Sequence, residues 1–164
     1  RWVPSRQLNY RIPMRIELLA DHQSFIPQLA EWYLAEWGPY YGEGGPGDAQ
    51  IDLSSRCNRD GLPLGVVAID GEQLLGVAAL ELDVTINLAP SVVVLLVGPD
   101  FRQRGVATAL IKACEEHTRQ LDEPRLYVST SVLGDLLKRL GWQAMGEVEF
   151  LNAEQGSVFV RILD

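Results

Sequence analysis

Val92 to Val97 is the most constraining feature of this chain. These β-branched and leucine residues run through Gly98-Pro99-Asp100-Phe101-Arg102-Gln103-Arg104 directly into a helical pattern starting at Gly105. An unbroken apolar strand has no side fit for water, so both of its faces must be covered. From Gly105 to Leu121 the positions Val106, Leu110, Ala113 or Cys114, and Leu121 share one helical stripe, the face that can cover such a strand. A second short strand follows at Leu126 to Ser129, which completes a strand, helix, strand crossover and makes Ser91 to Val97 the expected central strand.

The rest of the chain falls into place around that unit. Arg15 to Leu19 reads as a first strand. Asp21 is the expected N-cap of a helix with Phe25, Leu29, Trp32 or Tyr33, and Glu36 at helical spacing, ended by Gly38-Pro39. Pro39 to Asp48 holds four glycines and two prolines and reads as a loop, with a second short helix over Ala49 to Asn58. Leu64 to Ile69 and Gln73 to Val84 flank Asp70-Gly71, the dipeptide of a tight hairpin turn. Leu133 to Leu140 gives another helix, and Ala144 to Leu151 with Ser157 to Ile162 a closing hairpin around Glu154-Gln155-Gly156. The expected class is α/β (α+β): one domain over residues 14–164, with a mixed central sheet of about six to seven strands and about four flanking helices. Residues 1–13 carry three arginines and no acid, and read as a tail or strand extension, with Met14 as a natural start.

Charge and cysteine usage exclude several functions. The 164 residues include 14 basic and 22 acidic side chains, a net charge of −8, which argues against nucleic acid or an anionic membrane as partner. Without the three arginines of the first segment, 11 basic side chains face 22 acidic ones. Cys57 and Cys114 form no CxxC and only His22 and His117 accompany them, so no metal site or disulfide framework is expected, and a reducing, cytoplasmic setting fits. The apolar runs are far short of the ~20 residues of a membrane helix, and the basic-then-apolar pattern of a signal peptide is not seen.

The chemistry lies in the turn from Pro99 to Thr108. A strand that enters a helix through a basic, glycine-containing turn aims several backbone N–H groups and the positive helix end at one point, a ready site for a pyrophosphate. Gly105 permits close approach, Ala107 keeps the next turn small and Thr108 adds a hydroxyl. Arg102, Gly105 and Ala107 satisfy Q/R-x-x-G-x-G/A, and the segment resembles the acyl-CoA-binding motif of the Gcn5-related N-acetyltransferase (GNAT) superfamily. Strand 91–97, Leu126-Tyr127-Val128-Ser129 and the ending Leu136-Leu137-Lys138-Arg139-Leu140-Gly141-Trp142 extend the likeness over most of the chain from Gly65.

That resemblance implies an N-acetyltransferase using acetyl-CoA as co-substrate, with a primary amine of a small molecule or peptide as acceptor; a homodimer is compatible with it. The N–H groups of Gln103, Arg104, Gly105, Val106, Ala107 and Thr108 would hold the pyrophosphate, with Arg102 beside them. Main-chain groups of Leu95 and Val97 would pair with the pantetheine arm. A lysine-like ammonium of pKa ~10.4 is neutral in only about 4 of 10,000 molecules at pH 7, so a base is needed. Many relatives place a glutamate on the central strand, where this chain has none. Glu81 and Asp83, two apart on the preceding strand, are the candidate bases, or else the wet face of that strand. The tyrosine that serves as general acid in many relatives aligns with Leu137, and Tyr127, Ser129 and Thr130 are its possible substitutes. The missing carboxylate and tyrosine suggest the alternative of a catalytically weak acyl-CoA-binding sensor. Trp37, Tyr40, Tyr41, Glu36 and Glu43 fall in the acceptor-side region and would suit a cationic amine. His117 and Cys114 read as packing residues of the helix stripe, and His22 as part of a helix start.

Overall fold

The structure, a computed structural model, describes residues 14–164; the expected tail or strand extension over residues 1–13 lies outside the described residues. Strand β1 (Arg15–Leu18) leads through two 3-10 turns into α1 (Ile26–Glu36), followed by α2 (Gly38–Tyr41) and α3 (Ala49–Ser55). Then come β2 (Leu64–Asp70), β3 (Gln73–Asp83), β4 (Leu88–Val97), α4 (Val106–Gln120), β5 (Arg125–Thr130), α5 (Gly134–Arg139), β6 (Gln143–Glu149) and β7 (Gln155–Ile162). The seven strands form one sheet in the order β1-β2-β3-β4-β5-β7-β6, antiparallel except at the β4–β5 pair. None of the described helices is long and apolar enough to cross a membrane.

The sheet is covered on both faces, as the central apolar run demands. Leu64, Val66, Ala68, Ala78 and Leu80 pack with Val106, Leu110, Ile111 and Cys114 of α4 on one face. Val67, Ile69 and Val77 pack with Leu29, Tyr33 and Leu53 of α1 and α3 on the other. The alternation along β2 is the period of a pleated strand with two buried faces. Burial pushes the Cys114 thiol up to about 12, which fits its reading as a packing residue.

Four local expectations are corrected. Asp21 does not cap α1: it sits in a 3-10 turn and its carboxylate accepts from Arg59, while α1 starts at Ile26 with Pro27 in its first turn, where the missing N–H costs nothing. The loop expected from Pro39 begins as a helix instead: α1 does end before Gly38-Pro39, at Glu36, and Pro39 then fits the start of the one-turn α2, the helix beyond the expected four. Helix α3 ends at Ser55, three residues early. Strand β4 starts at Leu88 rather than Ser91, since β3 pairs with it as far as Asp83 opposite Leu88.

The Leu140-Gly141-Trp142 ending has a physical basis. Gly141 adopts φ +91°, and a Cβ there would stand 2.5 Å from Nη1 of Arg161, which donates to the Gly141 carbonyl at 3.0 Å. Trp142 Nε1 donates to the buried Glu115 of α4 at 3.0 Å, and Arg161 Nε lies 3.8 Å from the same carboxylate. Glu115 thus ties α4 to the last two strands.

Two outcomes follow for stability. Glu115→Ala strands the Trp142 N–H and the Arg161 guanidinium, and chemical denaturation should register a loss of about 2–3 kcal/mol. Burial also holds His117 below its ordinary pKa, against the pull of Glu116. The unfolded chain therefore binds this proton more readily, and stability present near pH 7 is lost as pH falls through the range below ~6.5. Denaturation between pH 7 and 5 should show a smaller decline for His117→Gln than for the parent chain.

Candidate active site

Strands β4 and β5 pair only at Ser91 and Tyr127 and then part. The cause sits in β4. Between the pairs Val77–Leu96 and Ala79–Val93, β4 spends three steps against two on β3, and Val94 within this bulge has φ +48°. A β-branched residue rarely enters that region, and the bulge turns the following backbone away from β5. The gap holds two neighbouring cavities, the two arms of the cleft, which share Leu95, Val132 and Leu133 as lining residues.

The first arm, a cavity of about 560 Å³, lies at the N-terminus of α4. Leu95, Val97, Arg102, Gln103, Gly105, Val106, Ala107 and Thr108 line it. Gly105 is the N-cap, at φ +79° with open space where a Cβ would be, and no side chain caps the helix. Among the described residues, no backbone carbonyl or side chain takes the N–H groups from Arg102 to Thr108, so they remain free donors at the positive helix end. Arg102 donates weakly to the Val97 carbonyl at 3.4 Å and stands 3.7 Å from Glu36. The Arg104 side chain is the exception: it does not line the arm, and its guanidinium lies 5.8 Å above the Phe101 ring. Arg139 of α5 supplies a cation from the far wall. Sequence reading missed Arg139, although it lies one helical turn beyond Leu136 in the quoted ending.

The second arm, about 370 Å³, contains Trp37, Asp83, Ser129, Ser131, Phe150 and Glu154 among its lining residues. Ser129 Oγ donates to Asp83 Oδ2 at 2.6 Å, so the carboxylate is fixed by a hydroxyl from across β4. Ser131 Oγ donates to Glu154. Neither Phe150 nor Glu154 was singled out beforehand as a site residue, because both belong to a hairpin turn whose position against β5 is set only by the sheet order.

Glu81 goes elsewhere. Its Oε1 accepts from Arg56 Nε at 2.7 Å, and Arg56, 6% exposed, also donates to the Tyr33 hydroxyl at 3.3 Å. Burial works against the Arg56 charge, but the Glu81 hydrogen bond and the neighbouring oxygens of Tyr33 and Glu81 outweigh it and raise its pKa. Burial pushes the Tyr33 hydroxyl up to about 12, against the pull of Arg56. The Tyr41 hydroxyl donates to Asp52 at 2.8 Å, and burial together with that carboxylate raises its pKa. The two carboxylates predicted together on one face thus take separate partners.

The expected aromatic and acidic rim is redistributed. Trp37 lines the second arm, Glu36 lines the first, and Tyr40, Tyr41 and Glu43 line neither. Leu137 is fully buried in the core, while Leu133 and Leu136 face the first arm. Of the possible acids, Ser129 and Thr130 line the second arm and Tyr127 does not. The Thr130 hydroxyl accepts from the N–H groups of Val132 and Leu133, fixing the loop between the arms. Among the described residues no three His, Cys, Asp or Glu side chains cluster as metal ligands.

Comparison with known proteins places this geometry. The model of the acetyltransferase (GNAT) family matches residues 26–141. No curated protein matches the sequence. Among solved structures, an aminoglycoside 6'-N-acetyltransferase complexed with coenzyme A is similar at a TM-score of 0.73 and 14% identity, over 90% of this chain and 96% of that one. An acetyl transferase from Salmonella typhimurium that modifies the N-terminal serine of 50S ribosomal subunit protein L7/L12 gives 0.68 and 17%, over 94% and 100%. A spermidine/spermine N-acetyltransferase from Vibrio cholerae gives 0.67 and 16%, over 91% and 92%. At these identities the likeness establishes the fold.

The Arg56–Glu81 pair yields a direct test. Arg56→Leu leaves a carboxylate facing a desolvated pocket and should cost about 3 kcal/mol in denaturant unfolding, whereas the double variant Arg56→Leu with Glu81→Leu should regain most of that loss.

Proposed function

The chain belongs to the acetyltransferase (GNAT) family and is an acyltransferase; from that premise we propose that it moves an acetyl group from acetyl-CoA to the primary amine of a small molecule or peptide. The observation that carries this reading is the division of charge along the cleft. The first arm has free N–H donors with Arg102 and Arg139, against the single acid Glu36. The second has Asp83 and Glu154 and no basic side chain. A ligand with phosphates at one end and an amine partner at the other matches that order.

The residues of the first arm fit the cofactor. The N–H groups of Gln103, Arg104, Gly105, Val106, Ala107 and Thr108 would take the pyrophosphate, and the space beside Gly105 lets it approach. Arg102 and Arg139 would add charge at its edge. Main-chain groups of Leu95 and Val97, turned from β5 by the bulge, would pair with the pantetheine arm as an added strand does.

In the second arm Asp83 is the base. Glu81 is engaged by Arg56 and does not line the second arm. Asp83 removes a proton from the bound ammonium, either directly or through the Ser129 hydroxyl that donates to it. The nitrogen lone pair then attacks the thioester carbonyl carbon, the C–N bond forms and the C–S bond breaks. The nitrogen gives up its remaining extra proton to water as the amide forms, and the sulfur leaves as a thiolate of pKa ~8.5 that takes a proton from water, so Leu137 at the tyrosine position need not stop the reaction.

Calorimetry with coenzyme A and acetyl-CoA, followed by thiol release over an amine panel, tests this reading. Both ligands should bind, and at least one amine should release thiol. Asp83→Asn should lower kcat by about a hundredfold or more while leaving cofactor affinity intact. Binding without release for any amine would favour the sensor alternative, no binding would defeat both, and unchanged turnover in Asp83→Asn would remove Asp83 from the mechanism.

A further inference from the structure

Within the amine-transfer reading, on which this inference rests, we infer that the preferred acceptor is a slender α,ω-diamine whose second ammonium pairs with Glu154 while the first reacts beside Asp83. Both carboxylates line one cavity, and no Lys, Arg or His lines it with them. Each is fixed by a serine of the same chain segment: Ser129 donates to Asp83 and Ser131 to Glu154. Ser129 lies in β5 and Ser131 just past its end, so the two carboxylates are tethered to neighbouring points of one chain segment.

Glu154 is held in place rather than left free on a surface loop. The Phe150 N–H donates to the Glu154 carbonyl at 2.8 Å, and the Glu154 N–H donates to Asn152 Oδ1 at 3.0 Å, so the turn presents its carboxylate at one position. Two anions on the walls of one cavity repel each other across it. A monoamine compensates only one of them. A dication compensates both.

The apolar walls of that cavity select the linker. Val92, Val94, Val128 and Leu133 line the same cavity and suit methylene groups, whereas hydroxyls there would lack partners. Trp37 and Phe150 add aromatic faces of the kind that attract ammonium groups. Flexible chains of four or five methylene groups are the simplest linkers of that kind.

The test compares butylamine with 1,4-diaminobutane and 1,5-diaminopentane by thiol release, in the parent enzyme and in Glu154→Gln. In the parent, the diamines should exceed butylamine in kcat/KM by about tenfold, mainly through KM, and the preference should shrink as ionic strength rises. In Glu154→Gln the diamine-to-monoamine ratio should fall to about one to two, with the thermal midpoint unchanged because the side chain is exposed. Equal use of butylamine and the diamines by the parent, or a preference that survives in Glu154→Gln, overturns the inference while leaving amine transfer standing. Cofactor binding with no turnover of any amine overturns the transfer reading, and this inference with it.

Discussion

Everything in the cleft depends on β4 leaving β5 after a single backbone pair. Two parallel strands in the middle of a sheet normally pair along their length, because buried N–H and C=O groups without partners are costly. Here Val94 is held in a left-handed conformation that costs a β-branched residue about 1–2 kcal/mol. It stays there because both flanks are pinned. Upstream, Ser91 pairs with Tyr127, and downstream Leu96 and Val97 pair with Val77 and Gly76. Gly76 is part of that clamp: a Cβ on it would stand 2.9 Å from the Leu96 carbonyl and 3.1 Å from Val106, so the glycine lets α4 sit close over the pinned segment. The bulge therefore opens the sheet where the helix N-terminus arrives.

What the sequence disclosed follows from this. The apolar run, the glycine turn and the helix stripe are local patterns, and each leaves a trace that reads correctly as strand, turn and covering helix. The α4 end of the cleft, including Gly105 and Thr108, was legible for that reason. The bulge was not, because Val94 belongs to a run of valines and nothing in its identity marks a positive φ. The start of α1 was missed because Asp21, a good capping residue, found a competing partner in Arg59, 38 residues later. The second arm was the least legible part. Asp83, Ser129, Glu154 and Trp37 come from four separate elements, and only the sheet order brings them together.

The separation of Glu81 from Asp83 illustrates how a strand pattern underdetermines a site. Spacing of two puts both on one side of an ideal strand, yet the register shifts between them and they take partners from different neighbours. Glu81 meets Arg56, which belongs to the chain just after α3, and Tyr33 of α1 completes a buried polar group beneath these helices. Such a group contributes more to a single arrangement than to raw stability, since a half-paired version costs more than an apolar replacement. Trp37 packs against the same cluster at the end of α1, so the Arg56 network holds in position the element that gives the second arm one of its aromatic walls.

A chain of net charge −8 is poorly suited to attract a polyanion by its overall field. The parts of the first arm act at short range instead: free amides, the end of a fifteen-residue helix dipole, and two arginines. Hydrogen-bond donors fixed in the backbone lose little on screening, whereas the acidic surface that repels phosphate at a distance draws cations toward the other arm. On the proposed reading, the same negative balance opposes the cofactor only weakly and favours the amine, and the two arms need not compete for one field. Thr130, whose hydroxyl binds both N–H groups of the loop between them, keeps Val132 and Leu133 as a common wall, so the boundary between the two charge regimes is a fixed piece of apolar chain.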